Sequence, residues 1–432
     1  MRCVCVFLLF ALSTCLAADD PNQILEHVRE NVAALLKKSA NYTCVETIDR
    51  SYFGAEENHG AGCGSAQAGT NRRQLMHDRL RLDIVVSENN EIYSWHGENN
   101  FSSGEIFKIV ERGPISSGSF VGYLRNVFLF PDIQFTFSGE LTEAGKDLYT
   151  FRYVVPRAAS RCSLVTRHGR ETVPYHGSFT ASAPDYRLVS FDVAVDSIPS
   201  DSNMCSAEME IHYQMVPISG SLSLIPADFV LRVEDDAHIF TTSRSAYAQC
   251  REFRGESTLR FDNKPDVTPT VALDSRAIEE WLPAGMTLRT GLRTPIDDRT
   301  SYTGDPVEGE LLQDIAVPGG KHVIPKGAIL RGILAQLEQR FHPWKYYMGS
   351  IQFQRITYGN HVLGLKALPI TPQKMREQLA DMYDGKIPPP LAEDIRNGIF
   401  AWRSAHVHLD RRFTGEWITV ERPQEANASE KP

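Results

Sequence analysis

DPNQILEHVRENVAALLKKSANYTCVETIDR, residues 20–50, decides how the rest of the chain is read. Asp20 is placed to cap a helix, Pro21 fits its first turn, and Gln23 stands where a capping box has its second member. Ile24, Val28, Val32, Leu35 and Leu36 recur at helical spacing and form one apolar stripe. The pattern ends at Ala40-Asn41. Tyr42, Cys44, Thr47 and Ile48 then follow in a β-favouring run closed by Asp49-Arg50. A helix that runs straight into a strand, with more alternating strands behind it, predicts a sheet that covers the helix's apolar face.

The chain has 432 residues with 42% hydrophobic and 23% charged content, the composition of a folded protein large enough for two or three domains. Residues 1–17 have the layout of an export signal: Arg2, an apolar run from Val4 to Leu12, and Cys15-Leu16-Ala17 as a small-x-small cleavage site. Leu12-Ser13-Thr14-Cys15 also has the shape of a lipoprotein processing site, which would leave a lipid anchor on Cys15. No later segment approaches eighteen apolar residues, so no transmembrane helix is expected in the mature chain. Five cysteines lie beyond the signal: Cys44, Cys63, Cys162, Cys205 and Cys250. In an oxidising compartment they predict two disulfides and one odd thiol. The sequence does not choose among the pairings: Cys44–Cys63 with Cys162–Cys205 would leave Cys250 free, and Cys44–Cys250 is an alternative. Without a C-x-x-C pair they do not read as a metal site. Residues 18–280 carry 25 basic and 37 acidic side chains, and 281–432 carry 19 and 17. No basic cluster stands out, so nucleic acid is not an expected partner.

Residues 51–70 are a Gly-, Ala- and Asn-rich excursion. Strands are predicted at Arg79–Val86, Glu91–Trp95 and, more weakly, Phe101–Ile109. Helical spacing returns over Ser116–Phe130, with Phe120, Tyr123, Leu124, Val127 and Phe128 on one aromatic face and Pro131 as the stop. Alternating strands follow at Gln134–Phe137, Leu148–Val155, Leu188–Val195, Glu208–Val216, Phe229–Glu234 and Ser257–Phe261. Their strict period of two implies antiparallel pairing with one wet face. The expected fold is mainly β (α+β): over 18–264, a large curved antiparallel sheet with helices on its concave face. Asn263 to Leu273, rich in Pro and Thr, opens a linker over 265–281, with a short acidic helix expected at Ser275–Trp281. A small β-barrel domain with short helices is expected over 282–423. Its strands include Ser350–Tyr358 and His361–Leu368, and one helix runs from Thr371 as N-cap through Met375, Leu379 and Met382 to Gly385. A second helical piece is expected at Leu391–Asn397, and closing strands at Val407–Leu409 and Trp417–Val420. Residues 424–432 read as a disordered tail.

Two resemblances add to this. The helix, the alternating strands and the aromatic second helix, with Asn41-Tyr42-Thr43-Cys44-Val45-Glu46-Thr47 and Cys250-Arg251-Glu252-Phe253 at the two ends, resemble exported bacterial proteins of the periplasmic lipoprotein-carrier (Lol-type) fold. That resemblance implies an acyl chain or lipoprotein held between sheet and helices. In the second part, Leu282-Pro283-Ala284-Gly285-Met286-Thr287-Leu288, Gly304-Asp305-Pro306-Val307 and Ile324-Pro325-Lys326-Gly327 resemble the β-barrel of conjugation-transfer proteins of the TrbI kind, which implies a role in a secretion assembly. Unlike those proteins, the sequence shows no membrane anchor ahead of the barrel.

No nucleophile elbow, H-E-x-x-H, phosphate loop or dinucleotide fingerprint is present, so no catalytic residue, metal or cofactor is assigned. His406 and His408 alternate along an expected strand, Glu234-Asp235-Asp236 precedes His238, and Asp297-Asp298 sit together. All three groups read as solvated turns or strand faces. The expected function is therefore that of a non-enzymatic exported protein of the periplasm or outer cell envelope. It would hold a hydrophobic ligand against Phe120, Tyr123, Leu124, Val127 and Phe128. The alternative is a structural or interaction component of an envelope assembly, with an envelope protein as partner and no small ligand.

Overall fold

The computed structural model describes residues 20–38, 41–55, 62–63, 72–87, 90–98, 106–143, 145–253, 278, 280–319 and 323–421. The export signal with Cys15, most of the 265–281 linker, the strand expected at Ser257–Phe261 and the 424–432 tail lie outside these residues.

Helix α1 spans Pro21–Lys38, and the Asp20 carboxylate accepts the Asn22 N–H at 3.0 Å, as an N-cap should. Ile24, Val28 and Val32 are at most 1% exposed. Burying each contributes on the order of 1.5–3 kcal/mol. They pack on one face of an antiparallel sheet made of β1 (Tyr42–Ala55), β2 (Arg72–Ser87), β3 (Asn90–Trp95), β4 (Gln134–Glu143), β5 (Lys146–Val155), β6 (Tyr175–Ser182), β7 (Leu188–Val195), β8 (Met204–Ile218), β9 (Ser221–Asp235) and β10 (Phe240–Glu252). The strand order is β3-β2-β1-β10-β9-β8-β7-β6-β5-β4. Sequence neighbours pair almost throughout, as period-two alternation with short turns predicts. Residues 163–166 and 169–172 add a separate small hairpin whose strands are too short to alternate legibly.

Further strands are β11 (Thr287–Leu292), β12 (Pro306–Leu311), β13 (Ile329–Arg340), β14 (Tyr346–Tyr358), β15 (His361–Pro369) and β16 (Thr414–Thr419). They pair as β11-β12-β13-β14-β15-β16, and β16 returns to β11. Their core is built on Leu288, Leu330, Phe353, Leu365 and Trp417, each at most 1% exposed. Two helices, α2 (Gln373–Met382) and α3 (Pro389–Asn397), pack Leu379 and Leu391 against Tyr346 and Met348.

Several expectations are corrected. Ile106–Ile109 is a single helical turn instead of strand, and the 116–130 helix shrinks to Gly122–Leu124 followed by a wider π turn over Arg125–Leu129. Glycines 118 and 122 sit in its first turns, and Gly118 has φ +96°, which no α-helix accommodates. Glu280–Trp281 forms a strand parallel to Leu363–Gly364 where a helix was expected. Pro372, not Thr371, occupies the N-cap of α2. The Thr371 hydroxyl instead accepts the Ile399 N–H at 3.0 Å and ties the end of α3 to the helix before it.

The disulfides are Cys44–Cys250 and Cys63–Cys205, with Cys162 free. Of the pairings that the sequence leaves open, Cys44–Cys250 forms, whereas Cys44–Cys63 and Cys162–Cys205 do not. The physical reason is the β1–β10 ladder, which sets Cys44 opposite the end of β10, while Cys63 lies against the start of β8 and bonds Cys205 there.

Candidate functional site

β2 is much longer than β3, which covers only Leu82–Ser87, so the edge of β2 from Met76 to Leu80 would be left bare. The second group of strands fills it. The end of β13 pairs antiparallel with β2 (Glu338 opposite Asp78, Arg340 opposite Met76), and Thr303 bridges Leu80. Thr303 donates its N–H to the Arg79 carbonyl at 2.8 Å and accepts the Arg81 N–H at 2.9 Å. On the outer face the Tyr302 ring lies 4.0 Å from the Arg81 guanidinium and 4.5 Å from that of Arg79. Asp305 pairs with Arg81 at 2.8 Å. Gly304 has φ +99°, and a Cβ there would sit 2.3 Å from the Trp95 ring, so no other residue fits. The Gly304-Asp305 motif thus fastens the two groups of strands to each other as well as turning the chain.

Under this seam the buried face of β1 carries charge. Tyr42, Cys44, Glu46, Ile48, Arg50 and Tyr52 all point inward. Arg50 is 2% exposed and grips Asp78 through two hydrogen bonds, Nε to Oδ1 at 2.8 Å and Nη2 to Oδ2 at 2.5 Å. Its Nη1 donates to the Arg112 carbonyl at 2.7 Å. Arg112 in turn pairs with Asp394, 1% exposed, which also meets Arg340 at 3.4 Å. Arg340 closes the cluster on Glu338 at 2.5 Å. Burial works to lower the Arg50 pKa, but the Asp78 carboxylate outweighs it and holds the guanidinium charged. Burial pushes the Asp394 carboxyl up, against the pull of Arg112.

This charged cluster divides two clefts. The larger, about 560 Å³, opens between the outer face of β13–β15 and the Ser94–Glu98 and Lys108–Arg112 segments. β14 alternates across its sheet: Ile351 and Phe353 enter the core, while Ser350, Gln352 and Gln354 face the cleft. The smaller, about 440 Å³, is lined mainly by Tyr52, Leu75, Met76, Pro114, Val233 and Ile239, with Asp235, Thr241, Arg340 and His342 as its polar groups. A third, about 330 Å³, lies on the outer face around Asp192 and Glu210.

None of these three clefts is lined by Phe120, Tyr123, Leu124, Val127 or Phe128. Those side chains are 0–9% exposed and meet rings of the sheet: Phe120 lies 4.9 Å from Tyr247, Phe128 5.0 Å from Phe179, and Tyr123 6.0 Å from Tyr175. Glu91, which local patterning did not single out, positions them. Its carboxylate accepts the N–H groups of Gly118, Phe120 and Val121 at 2.8–3.1 Å and the Tyr93 hydroxyl at 2.7 Å. Asn126 takes the Tyr175 hydroxyl at 2.8 Å and the Arg161 N–H at 2.9 Å.

A second carboxyl, Glu46, lies buried beside this region, bonded by Ser245 and Tyr247. Burial pushes its pKa up from 4.5 to about 7. A carboxyl whose folded pKa is raised stabilises the fold fully below the unfolded value, and that stability is lost as pH rises through the folded value. The gap from 4.5 to about 7 corresponds to roughly 3 kcal/mol. Glu46→Gln is therefore expected to gain most of that amount on wild type between pH 4 and pH 8.5, read from urea midpoints at the two pH values. Equal differences at both would show that Glu46 titrates normally.

The remaining sequence candidates pair off. His408 Nδ1 lies 3.0 Å from Asp297 and His406 Nδ1 3.3 Å from Asp298, joined by the short ladder in which Asp297 faces His408. The two histidines and the two aspartates, read separately in the sequence, form one surface contact. Asp235 caps its own turn by accepting the N–H groups of Ala237 and Ile239. Among the described residues no group of three His, Cys, Asp or Glu is arranged to hold a metal, and no helix is long and apolar enough to cross a membrane.

No family model matches the chain, and no curated relative does either. Among solved structures, it is similar to a DUF1329 family protein from Desulfovibrio piger at 11% identity and TM-score 0.28, covering 55% of this chain and 96% of that one. It is likewise similar to a LolA superfamily protein from Nitrosomonas europaea at 9% identity and TM-score 0.26, covering 55% and 94%.

Proposed function

We propose that this is an exported binding protein of the periplasm or outer envelope, and that it holds a hydrophobic ligand such as an acyl chain in the 440 Å³ cleft bounded by Tyr52, Leu75, Met76, Pro114, Val233 and Ile239. The observation that carries this reading is the cleft's size and mainly apolar lining with a few polar groups, Asp235, Thr241, Arg340 and His342, among it, the common form of a small-ligand site. Two disulfides fit an oxidising compartment. The ring of pairings from β11 to β16 favours reading 282–423 as a small barrel, whose task here is to wall one side of the cleft through Arg340, His342 and Tyr383.

The test is titration with the apolar dye N-phenyl-1-naphthylamine. Leu75→Asp is expected to weaken binding tenfold or more, since a charge in the lining opposes an apolar ligand by over about 1.4 kcal/mol. Binding that survives Leu75→Asp but falls with Phe128→Leu would move the ligand behind the aromatic face. A wild-type protein that takes up neither dye nor extracted lipid would favour the interaction component of an envelope assembly.

A further inference from the structure

The larger cleft has a different chemistry. Its floor is the solvent-side face of β13–β15, yet the other sheet roofs it, so polar side chains that alternation sends outward are enclosed. Gln336, Gln352, Gln354, Asn397, Ser94 and Ser350 supply amides and hydroxyls, and Trp95 contributes an indole to the wall. Two of these groups are buried without a hydrogen-bond partner among the described residues: the Ser94 hydroxyl, on a residue 2% exposed, and the Gln336 amide nitrogen. An orphaned buried polar group costs on the order of 1–3 kcal/mol, and a fold keeps two of them beside one cavity at a real loss of stability.

The cleft's charges separate into satisfied and unsatisfied ones. Arg50, Asp78, Arg112, Glu338 and Asp394 are consumed by the cluster beneath it. Glu98 is engaged by the Gln354 amide at 3.3 Å, and burial raises its carboxyl toward the neutral form. Three charges have no ion-pair partner among the described residues: Lys366, half-buried on β15, and the exposed Lys108 and Glu111 on the opposite wall. A half-buried lysine without a counter-ion is an anion site in waiting. Paired amides, hydroxyls and an aromatic wall are the groups that meet adjacent hydroxyls and the C–H face of a sugar ring.

We infer that the 560 Å³ cleft between the two sheets binds an acidic saccharide, with amides on its hydroxyls and Lys366 on its carboxylate. This site is separate from the apolar cleft and stands or falls independently of the proposed hydrophobic ligand.

The experiment is isothermal titration of the full chain with digalacturonate, with cellobiose and acetate as controls. Digalacturonate is expected to bind while the controls do not. Lys366→Met is expected to weaken it at least tenfold, and Gln354→Ala several-fold, with each variant's melting temperature checked against wild type. If Lys366→Met folds poorly, Lys108→Ala at the exposed wall is expected to weaken binding two- to fivefold without altering the melt. Equal binding of cellobiose and digalacturonate would overturn the acidic ligand. Heat from digalacturonate that persists in Gln354→Ala and both lysine variants would overturn the site, as would no heat at all.

Discussion

Asp78→Ala is expected to destabilise the protein by about 3–5 kcal/mol, because it leaves the Arg50 guanidinium buried and uncompensated. Arg50 is 2% exposed, and both of its hydrogen bonds to a carboxylate go to Asp78. The remaining bond, to the Arg112 carbonyl, does not neutralise a charge. The damage should not stay local. Asp78 sits where β13 joins β2, opposite Glu338, whose own partner Arg340 reaches Asp394. Removing one carboxylate leaves an excess positive charge shared by Arg50, Arg112 and Arg340 at the seam. Urea unfolding of the variant should show a lower midpoint, and trypsin should cut near the 303–305 contact before global unfolding. The double variant Arg50→Met/Asp78→Leu separates the two causes. It removes the charge and keeps apolar volume, and it is expected to recover most of the lost stability. If the double variant is as unstable as the single one, the pair holds the seam by geometry instead of by charge balance.

That seam marks the boundary of what the sequence discloses. α1 and the alternating strands β7 and β8 were legible because their periods, 3.6 and 2, are written in consecutive residues. Pro325-Lys326-Gly327 is legible on a different ground, the turn chemistry of Pro and Gly, and Gly327 adopts φ +87°. The helix over 116–130 was misjudged because an apolar repeat says nothing of the glycines that break it, nor of Glu91, which holds its first N–H groups from a distant strand. Arg50 and Asp78 carry no local mark of their pairing, since nothing near them in sequence indicates that a strand from residues 329–340 will cover them. The Gly304-Asp305 pair stands out in the sequence, but nothing local points to its partner Arg81. Clefts whose two walls come from residues 94–112 and 333–399 are outside the reach of any window reading.

Severing Cys44–Cys250 is expected to cost at least as much as breaking the seam, roughly 5 kcal/mol in the chain-entropy account, because the bridge spans 206 residues. It staples β1 to β10 where their ladder slips between Thr43 and Val45, the one place along the pair where hydrogen bonding is irregular. Cys44 is 1% exposed and packs with Tyr42, Ile84 and Phe120, so the bridge also fixes the face on which the aromatic turn rests. Cys63–Cys205 spans a comparable 142 residues, but Cys63 is exposed on the excursion between β1 and β2. Since thiol exchange requires access to the sulfur, mild dithiothreitol should open Cys63–Cys205 first and leave Cys44–Cys250 intact until the sheet opens. Timed alkylation and peptide mapping would show the order, and denaturation of Cys44→Ala/Cys250→Ala the size of the loss. If both bridges reduce together at low reagent, the β1–β10 edge opens far more readily than its burial implies. The aromatic face behind it would then be reachable by a ligand after all.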